Sequence, residues 1–134
     1  MTVPHLLIYG MAALILALYV RRAILSRSIR QYSPAQLEER LHTPPTPVLL
    51  DVRTEAEHRS GAIKNAFHIP VQELRRRADE LAKHRDREII CYCQTGSRSV
   101  SAALALKRLG HTVGNLKGGI AEWNFAQLAR TRKP

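Results

Sequence analysis

Residues 88–110 read EIICYCQTGSRSVSAALALKRLG and contain a strand, a loop and a helix in succession. The run from Glu88 to Tyr92 is short and apolar, as buried strands are. The residues from Cys93 to Arg98 are mostly small and polar, and the apolar spacing from Ser99 to Leu109 predicts a helix that Gly110 ends. A strand that passes through a short polar loop into a helix is one unit of an α/β fold.

The sequence on both sides repeats this alternation. A short apolar run with one acid predicts a further strand at residues 48–52, a weaker strand is predicted at residues 66–69, and another is predicted at residues 112–116. Helices are predicted at residues 34–41, at residues 71–84 and after Gly118-Gly119. Strands that alternate with helices predict a mostly parallel sheet with helices on both of its faces.

Cys93 is the candidate nucleophile. In open α/β folds ligands bind beyond the carboxyl ends of the strands, where Cys93 stands. The loop after it can curl so that its backbone N–H groups point inward at a helix N-terminus, which creates an anion-binding site. The same dipoles and the nearby Arg98 would stabilise a thiolate, and Gly96 allows backbone angles that other residues avoid. The predicted binding loop consists of Gln94, Thr95, Gly96, Ser97, Arg98 and Ser99.

Cys91 lies within the strand and is predicted to be a core residue.

Composition restricts the partners of the chain. Its net charge of +10 and its pI near 10.4 favour attraction to nucleic acid, to an anionic membrane surface or to a small anionic substrate. Nucleic acid is not predicted, because zinc-ligand and recognition-helix patterns are absent from the sequence and aromatic residues are few. The two cysteines, Cys91 and Cys93, lie too close in sequence to form a disulfide framework. Reduced thiols are typical of the cytoplasm. No metal or organic cofactor is expected, since the histidines are scattered.

Residues 1–25 are predicted to form a transmembrane anchor. The run from Leu6 to Val20 reads LLIYGMAALILALYV, and an uncharged stretch of about 20 residues rises about 30 Å as a helix, enough to cross a bilayer core. A cleaved signal peptide is the alternative, but it has positive charge before its apolar core, whereas Arg21 and Arg22 follow the core. The positive-inside rule then places the C-terminal side in the cytoplasm. We therefore predict a single-pass protein of the inner (cell) membrane, with a basic linker at residues 26–33 and a catalytic domain at residues 34–130.

Three groups of residues, in this order, resemble the rhodanese-like sulfurtransferase domain. They run from Leu50-Asp51-Val52-Arg53 to Ile69-Pro70, from Cys91 to Ser99, and from Leu109-Gly110 to Trp123. The resemblance covers roughly residues 34–128, and it implies a doubly wound sheet of about five mostly parallel strands flanked by helices. It also implies that a sulfane sulfur moves from thiosulfate or a persulfide donor to a thiophilic acceptor through a persulfide on Cys93. Ala62 and Asn65 depart from the family pattern, which often has His and Gly there.

Loop length favours sulfur chemistry over phosphate chemistry. Four residues separate Cys93 from Arg98, and the loop of cysteine phosphatases is one residue longer. The shorter loop suits the terminal sulfur of a persulfide, although a phosphatase or arsenate reductase and a non-catalytic membrane-bound docking module remain alternatives. We expect Arg98 to orient a small anionic donor and a thiol or protein to accept the sulfur. Asp51 and Arg53 are predicted to pair and brace the loop.

Overall fold

The structure is a computed structural model that describes residues 2–132. Its strands are β1 (Arg30–Tyr32), β2 (Val48–Asp51), β3 (Phe67–His68), β4 (Ile89–Tyr92) and β5 (Val113–Leu116). Its α-helices are α1 (Val3–Ser26), α2 (Pro34–Leu41), α3 (Glu55–Arg59), α4 (Leu74–Arg77), α5 (Ser97–Arg108) and α6 (Gly119–Thr131). The strands form one parallel sheet in the order β1-β5-β4-β2-β3. This arrangement confirms the predicted α/β fold with five parallel strands.

Each face of the sheet carries its own apolar core. In β4, Ile89 and Cys91 pack on one face, and Ile90 and Tyr92 pack on the other, as the two-residue period of a strand requires. Helix α5 covers the first face, with buried residues that include Leu106. Helices α2 and α6 cover the second face, and they contact each other. Because both faces are covered, every residue of the central strands β2, β4 and β5 is buried.

Strand β1 lies inside the segment that the sequence predicts as a linker. Residues 30–32 pair in parallel with β5, in the register Arg30 to Gly114 and Tyr32 to Leu116. The side chain of Tyr32 is buried, and its hydroxyl donates to the carboxylate of Glu88 at 2.6 and 2.8 Å. Three of the residues predicted as linker are therefore the edge strand of the sheet, because the aromatic ring of Tyr32 and this hydrogen bond hold them there.

The segment 71–84 corrects the prediction of one amphipathic α-helix. Only Leu74–Arg77 is α-helical, and 3₁₀ turns cover Val71–Glu73 and Ala78–His84. At three residues per turn, residues three apart lie above one another. The half-buried Ala78 and the buried Leu81 follow this spacing, so the 3₁₀ winding still turns the apolar side chains to the core.

Helix α1 has 24 residues and, as expected, is apolar enough in length and composition to cross a membrane. Its most apolar 18-residue window has a mean hydropathy of 2.0, and none of that window is buried against the rest of the chain. A helix of this kind serves proteins as a membrane anchor or as a signal sequence.

Candidate active site

Cys93 lies at the carboxyl edge of the sheet, directly after the central strand β4. The cysteine is only 1% exposed, while Gln94, Thr95 and Ser97 are exposed at the rim of the loop above it. Helix α5 begins within the loop at Ser97, so the loop passes straight into a helix N-terminus. The fold thus brings the predicted nucleophile and the predicted binding loop together at one edge of the sheet.

Hydrogen bonds converge on the sulfur of Cys93. The backbone N–H of Gly96 donates to Sγ at 3.0 Å, and the hydroxyl of Ser99 lies 3.4 Å from it. Burial alone would raise the pKa of the Cys93 thiol, but the hydrogen bonds from the Ser99 side chain and from the backbone of the loop outweigh it and hold the pKa below its usual value. Gly96 adopts a φ of 102°, a left-handed conformation that turns its N–H toward the sulfur.

Cys91 has the opposite environment. It is fully buried in the same core cluster, and burial together with the nearby Cys93 raises its pKa to about 12. A thiol with this pKa stays protonated at neutral pH, and an apolar core keeps it away from solutes. The position of Cys91 agrees with its prediction as a core residue.

The start of α6 holds the carbonyl groups of the loop. The backbone N–H of Ile120 donates to the carbonyl oxygen of Cys93 at 2.9 Å, and that of Ala121 donates to the carbonyl oxygen of Gln94 at 3.2 Å. Gly119 makes this approach possible, because a Cβ at this position would lie 2.5 Å from both carbonyl oxygens. With its carbonyls held by α6, the loop is free to present N–H groups on the side of the thiol.

Arg98 is held by Glu57. The guanidinium donates to both carboxylate oxygens of Glu57 at 2.8 Å, a bidentate pair that joins α5 to α3. The hydrogen bonds from Arg98 lower the pKa of Glu57 to about 2, and Thr54 adds to the effect. The sequence carries no direct signal for this pair, although the spacing of Thr54 and Glu57 is a capping-box signal for the start of α3.

Asp51 and Arg53 form a buried pair beside the loop. The Arg53 guanidinium donates to Asp51 at 2.7 and 2.9 Å and to the carbonyl oxygen of Gly61 at 2.6 Å. Burial favours the neutral form of Asp51, but the hydrogen bonds from Arg53 and His58 outweigh it and lower the pKa of the carboxyl. Arg53 also reaches the side-chain oxygen of Gln94 at 3.4 Å, so the pair touches the loop at one point.

Two histidines that look unrelated in the sequence meet behind this pair. The rings of His58 and His68 stack with centroids 4.2 Å apart. Nδ1 of His58 lies 2.8 Å from the Asp51 carboxylate, and Nε2 of His68 lies 2.8 Å from the carbonyl oxygen of Arg53. The stack extends the polar network of Asp51 toward the edge strand β3. A spacing of ten residues carries no local signal for such a contact, which depends on the pairing of β3 with β2.

The site as a whole can stabilise a negatively charged sulfur. A thiol with a lowered pKa lies at the base of a loop whose N–H groups point inward, at the start of a helix. The side chains around it brace one another through ion pairs and leave the loop backbone to face the sulfur.

Comparison with known proteins assigns this geometry to one family. The sequence profile of the Rhodanese-like domain matches residues 33–126. A sulfurtransferase of Allochromatium vinosum is 34% identical over 96 residues, which cover 71% of this chain and 88% of that protein. The putative sulfurtransferase YtwF of Bacillus subtilis is 30% identical over 95 residues, which cover 71% of this chain and 90% of that protein. The crystal structure of a rhodanese-related protein from Thermoplasma volcanium superposes with a TM-score of 0.66 at 33% identity, covering 72% of this chain and 92% of that one.

Proposed function

Because the chain belongs to the rhodanese-like domain family, we propose that it is a sulfurtransferase that carries a sulfane sulfur as a persulfide on Cys93. One observation carries the proposal: the Cys93 sulfur accepts a hydrogen bond from the N–H of Gly96 inside a loop that leads into a helix N-terminus. The names of the relatives point to the same reaction class.

The first half-reaction forms the persulfide. The Cys93 thiolate attacks the outer sulfur of an anionic donor such as thiosulfate, the sulfur–sulfur bond of the donor breaks, and sulfite leaves with the bonding electron pair. The loop N–H groups then stabilise the charge on the terminal sulfur. The loop has only four residues between Cys93 and Arg98, a length that suits the single terminal sulfur of a persulfide better than a tetrahedral phosphate.

The second half-reaction returns the thiolate. A thiophilic acceptor, which is cyanide in an assay or a thiol in the cell, attacks the terminal sulfur, and Cys93 leaves as the thiolate. The bidentate pairing with Glu57 favours a bracing role for Arg98, because its guanidinium is already occupied. The donor is then held mainly by the backbone of the loop.

The reaction is tested by cyanolysis. Purified chain supplied with thiosulfate should release thiocyanate, and Cys93→Ser should abolish the release because the nucleophile is lost. Cys91→Ser is the matched control, since it changes a buried thiol two residues away, and it should keep most of the activity. Undiminished thiocyanate release from Cys93→Ser would contradict the proposal.

Mass spectrometry of the intact chain separates the proposal from its alternatives. After treatment with thiosulfate, polysulfide or a thiol persulfide, we expect a gain of one sulfur atom that requires Cys93. Failure with every donor would favour a non-catalytic docking module. Hydrolysis of p-nitrophenyl phosphate by the chain would favour a phosphatase.

We further propose that α1 is an uncleaved single-pass anchor that leaves the catalytic domain in the cytoplasm. Helix length, apolar composition and the arginines after Val20 support this. Membrane fractions washed with alkaline carbonate should retain the chain, and its mass should include the N-terminal residues. A shortened chain released into solution would indicate a signal sequence instead.

A further inference from the structure

Helix α1 leaves the domain on the side of the active site. Near its C-terminal end, the Arg22 guanidinium donates to the carbonyl oxygen of Ser97, at the start of α5, at 2.8 Å. Further along the chain, the carbonyl oxygen of Ser28 accepts from Lys107, near the end of α5, at 2.9 Å. The end of α1 and the turn after it therefore descend along α5, away from the carboxyl edge of the sheet. The rest of α1 extends in the opposite direction, beyond the edge where Cys93 lies.

The apolar part of α1 ends where contact with the domain begins. Residues 2–22 are all exposed, and the first half-buried residues of the helix are Ala23, Leu25 and Ser26. Val20 is the last residue of the apolar run, and Arg22 already touches the loop through Ser97. Two residues of helix rise only about 3 Å. If the apolar run fills the bilayer core, the catalytic loop lies at the depth of the lipid headgroups.

Basic side chains surround this junction. Arg27 and Lys117 line a cavity between the end of α1 and the loop, together with Thr95, Gly96 and Gly118. Arg21 and Arg22 precede them on α1. The carboxylate of Glu57, at the same edge, is neutralised by Arg98. Such a group of basic side chains is attracted to anionic headgroups. This attraction favours an orientation in which the carboxyl edge of the sheet rests on the membrane.

From these contacts we propose that the catalytic edge faces the membrane surface and that Cys93 passes its sulfur to a thiol presented at that surface. The inference rests on the proposed sulfurtransferase function and on α1 as the anchor. The acceptor thiolate attacks the terminal sulfur of the Cys93 persulfide, the sulfur–sulfur bond breaks, and its electron pair returns to Cys93 as the thiolate. The acceptor leaves as a persulfide of the membrane component. A loop at headgroup depth meets such thiols at a high effective concentration.

The orientation is tested by paramagnetic broadening of amide signals from the full chain in bicelles. Lipids that carry a nitroxide on the headgroup should broaden the signals of Thr95 and Ser97. The signals of Thr46 and Arg87, which lie at the amino edge of the sheet and contact each other, should keep their intensity. Equal broadening at the two edges, or stronger broadening at Thr46 and Arg87, would overturn the proposed orientation.

The acceptor class is tested with vesicles that contain a thiol-headgroup lipid such as phosphatidylthioethanol. Full chain loaded with persulfide should transfer sulfur to this lipid at least about tenfold faster than to the same total amount of a soluble thiol. A flexible insertion of about 15 residues between Arg27 and Ser28 frees the domain from α1 and should remove the preference. The same insertion between Thr43 and Pro44, at the opposite edge, is the matched control and should keep it.

Activity with cyanide distinguishes failure of the membrane-facing acceptor from failure of the sulfurtransferase function itself. If both insertion variants and the parent chain release thiocyanate equally but the lipid thiol shows no advantage, the membrane-facing acceptor is refuted and the sulfurtransferase function stands. If no variant forms a persulfide, the proposed function itself fails.

Discussion

At the scale of single residues, we expect Ser99 to tune the reactivity of the Cys93 thiol. Its side chain contributes the largest of the hydrogen-bond effects that lower the pKa of Cys93. In Ser99→Ala that effect is lost, so the pKa of Cys93 should rise and the thiolate fraction at pH 7 should fall. The rate of alkylation by iodoacetamide, measured against pH, should show its midpoint at a higher pH. Ser101→Ala, an exposed position on the same helix, should leave the profile where it is.

Gly119 is a position at which any added side chain would clash with the backbone of the loop. A methyl group at Gly119 would lie 2.5 Å from the carbonyl oxygens of Cys93 and Gln94, at a φ of 64°. We expect Gly119→Ala to shift the loop and to reduce sulfur transfer by at least about tenfold, because small displacements of reacting groups are costly. Gly10→Ala, where nothing lies within 4 Å of the added methyl group, provides the control. An active Gly119→Ala variant would show that α6 does not position the loop.

Glu57 makes part of the stability depend on pH. Its pKa falls from an ordinary value of 4.5 to about 2 in the fold. The stabilisation is therefore present above pH 4.5 and is lost as the pH falls toward 2. The pair is one-third exposed, so Glu57→Gln should cost no more than about 1 kcal/mol at pH 6. The difference in urea midpoint should shrink on acidification, whereas Glu55→Gln, in the same helix, should show little difference at any pH.

At the scale of elements, β1 is the strand whose anchoring can be measured. The Tyr32 hydroxyl donates to Glu88, whose side chain is only 9% exposed. Tyr32→Phe leaves that carboxylate with one donor fewer, and we expect a loss of about 1–3 kcal/mol in the free energy of unfolding. Urea unfolding in detergent would measure it, with the exposed Tyr19→Phe as the control. An unchanged free energy would mean that β1 contributes little to the sheet.

The same element shows where prediction from sequence succeeds and where it fails. Strands β2 and β4 are apolar except for Asp51 at the end of β2, and together with β5 they lie within a residue of the bounds that the sequence predicts. Strand β1 reads RQY and has no apolar pattern of its own; it is a strand only because β5 offers it a partner. The 3₁₀ winding after Pro70 depends in the same way on the core beneath it.

In the candidate site, too, the local features can be predicted from sequence and the long-range contacts cannot. The order strand, cysteine, polar loop and helix is local, so the sequence alone predicts that Cys93 follows a strand and that the next residues lead into a helix. The bidentate pair of Arg98 and Glu57 joins residues 41 positions apart, and the stack of His58 on His68 needs two packed elements. No local pattern predicts such contacts, because they depend on the fold that brings the elements together.

At the scale of the whole molecule, the distribution of arginines should set the orientation of the chain. Arg21, Arg22 and Arg27 follow the apolar run directly, and positive charge at one end of a span keeps that end in the cytoplasm. A fluorescent protein fused to the C-terminus and active only in the cytoplasm should be bright. Replacement of these three arginines with Asn should dim it. Replacement of the three distant residues Arg75, Arg76 and Arg108 with Asn is the matched control, and equal dimming there would contradict the assignment.

The pairing of β1 with β5 also has a consequence for biosynthesis. Gln31 and Asn115, which are joined by a hydrogen bond across these strands, lie 84 residues apart in the chain. Strand β1 therefore cannot pair until the ribosome has released β5, residues 113–116. By then α1 has long since emerged, and under the proposed anchoring it is already in the bilayer. The domain would then complete its sheet as a nascent chain tethered at one end, and an arrest of translation before residue 113 would leave an inserted helix with an open sheet edge beside it.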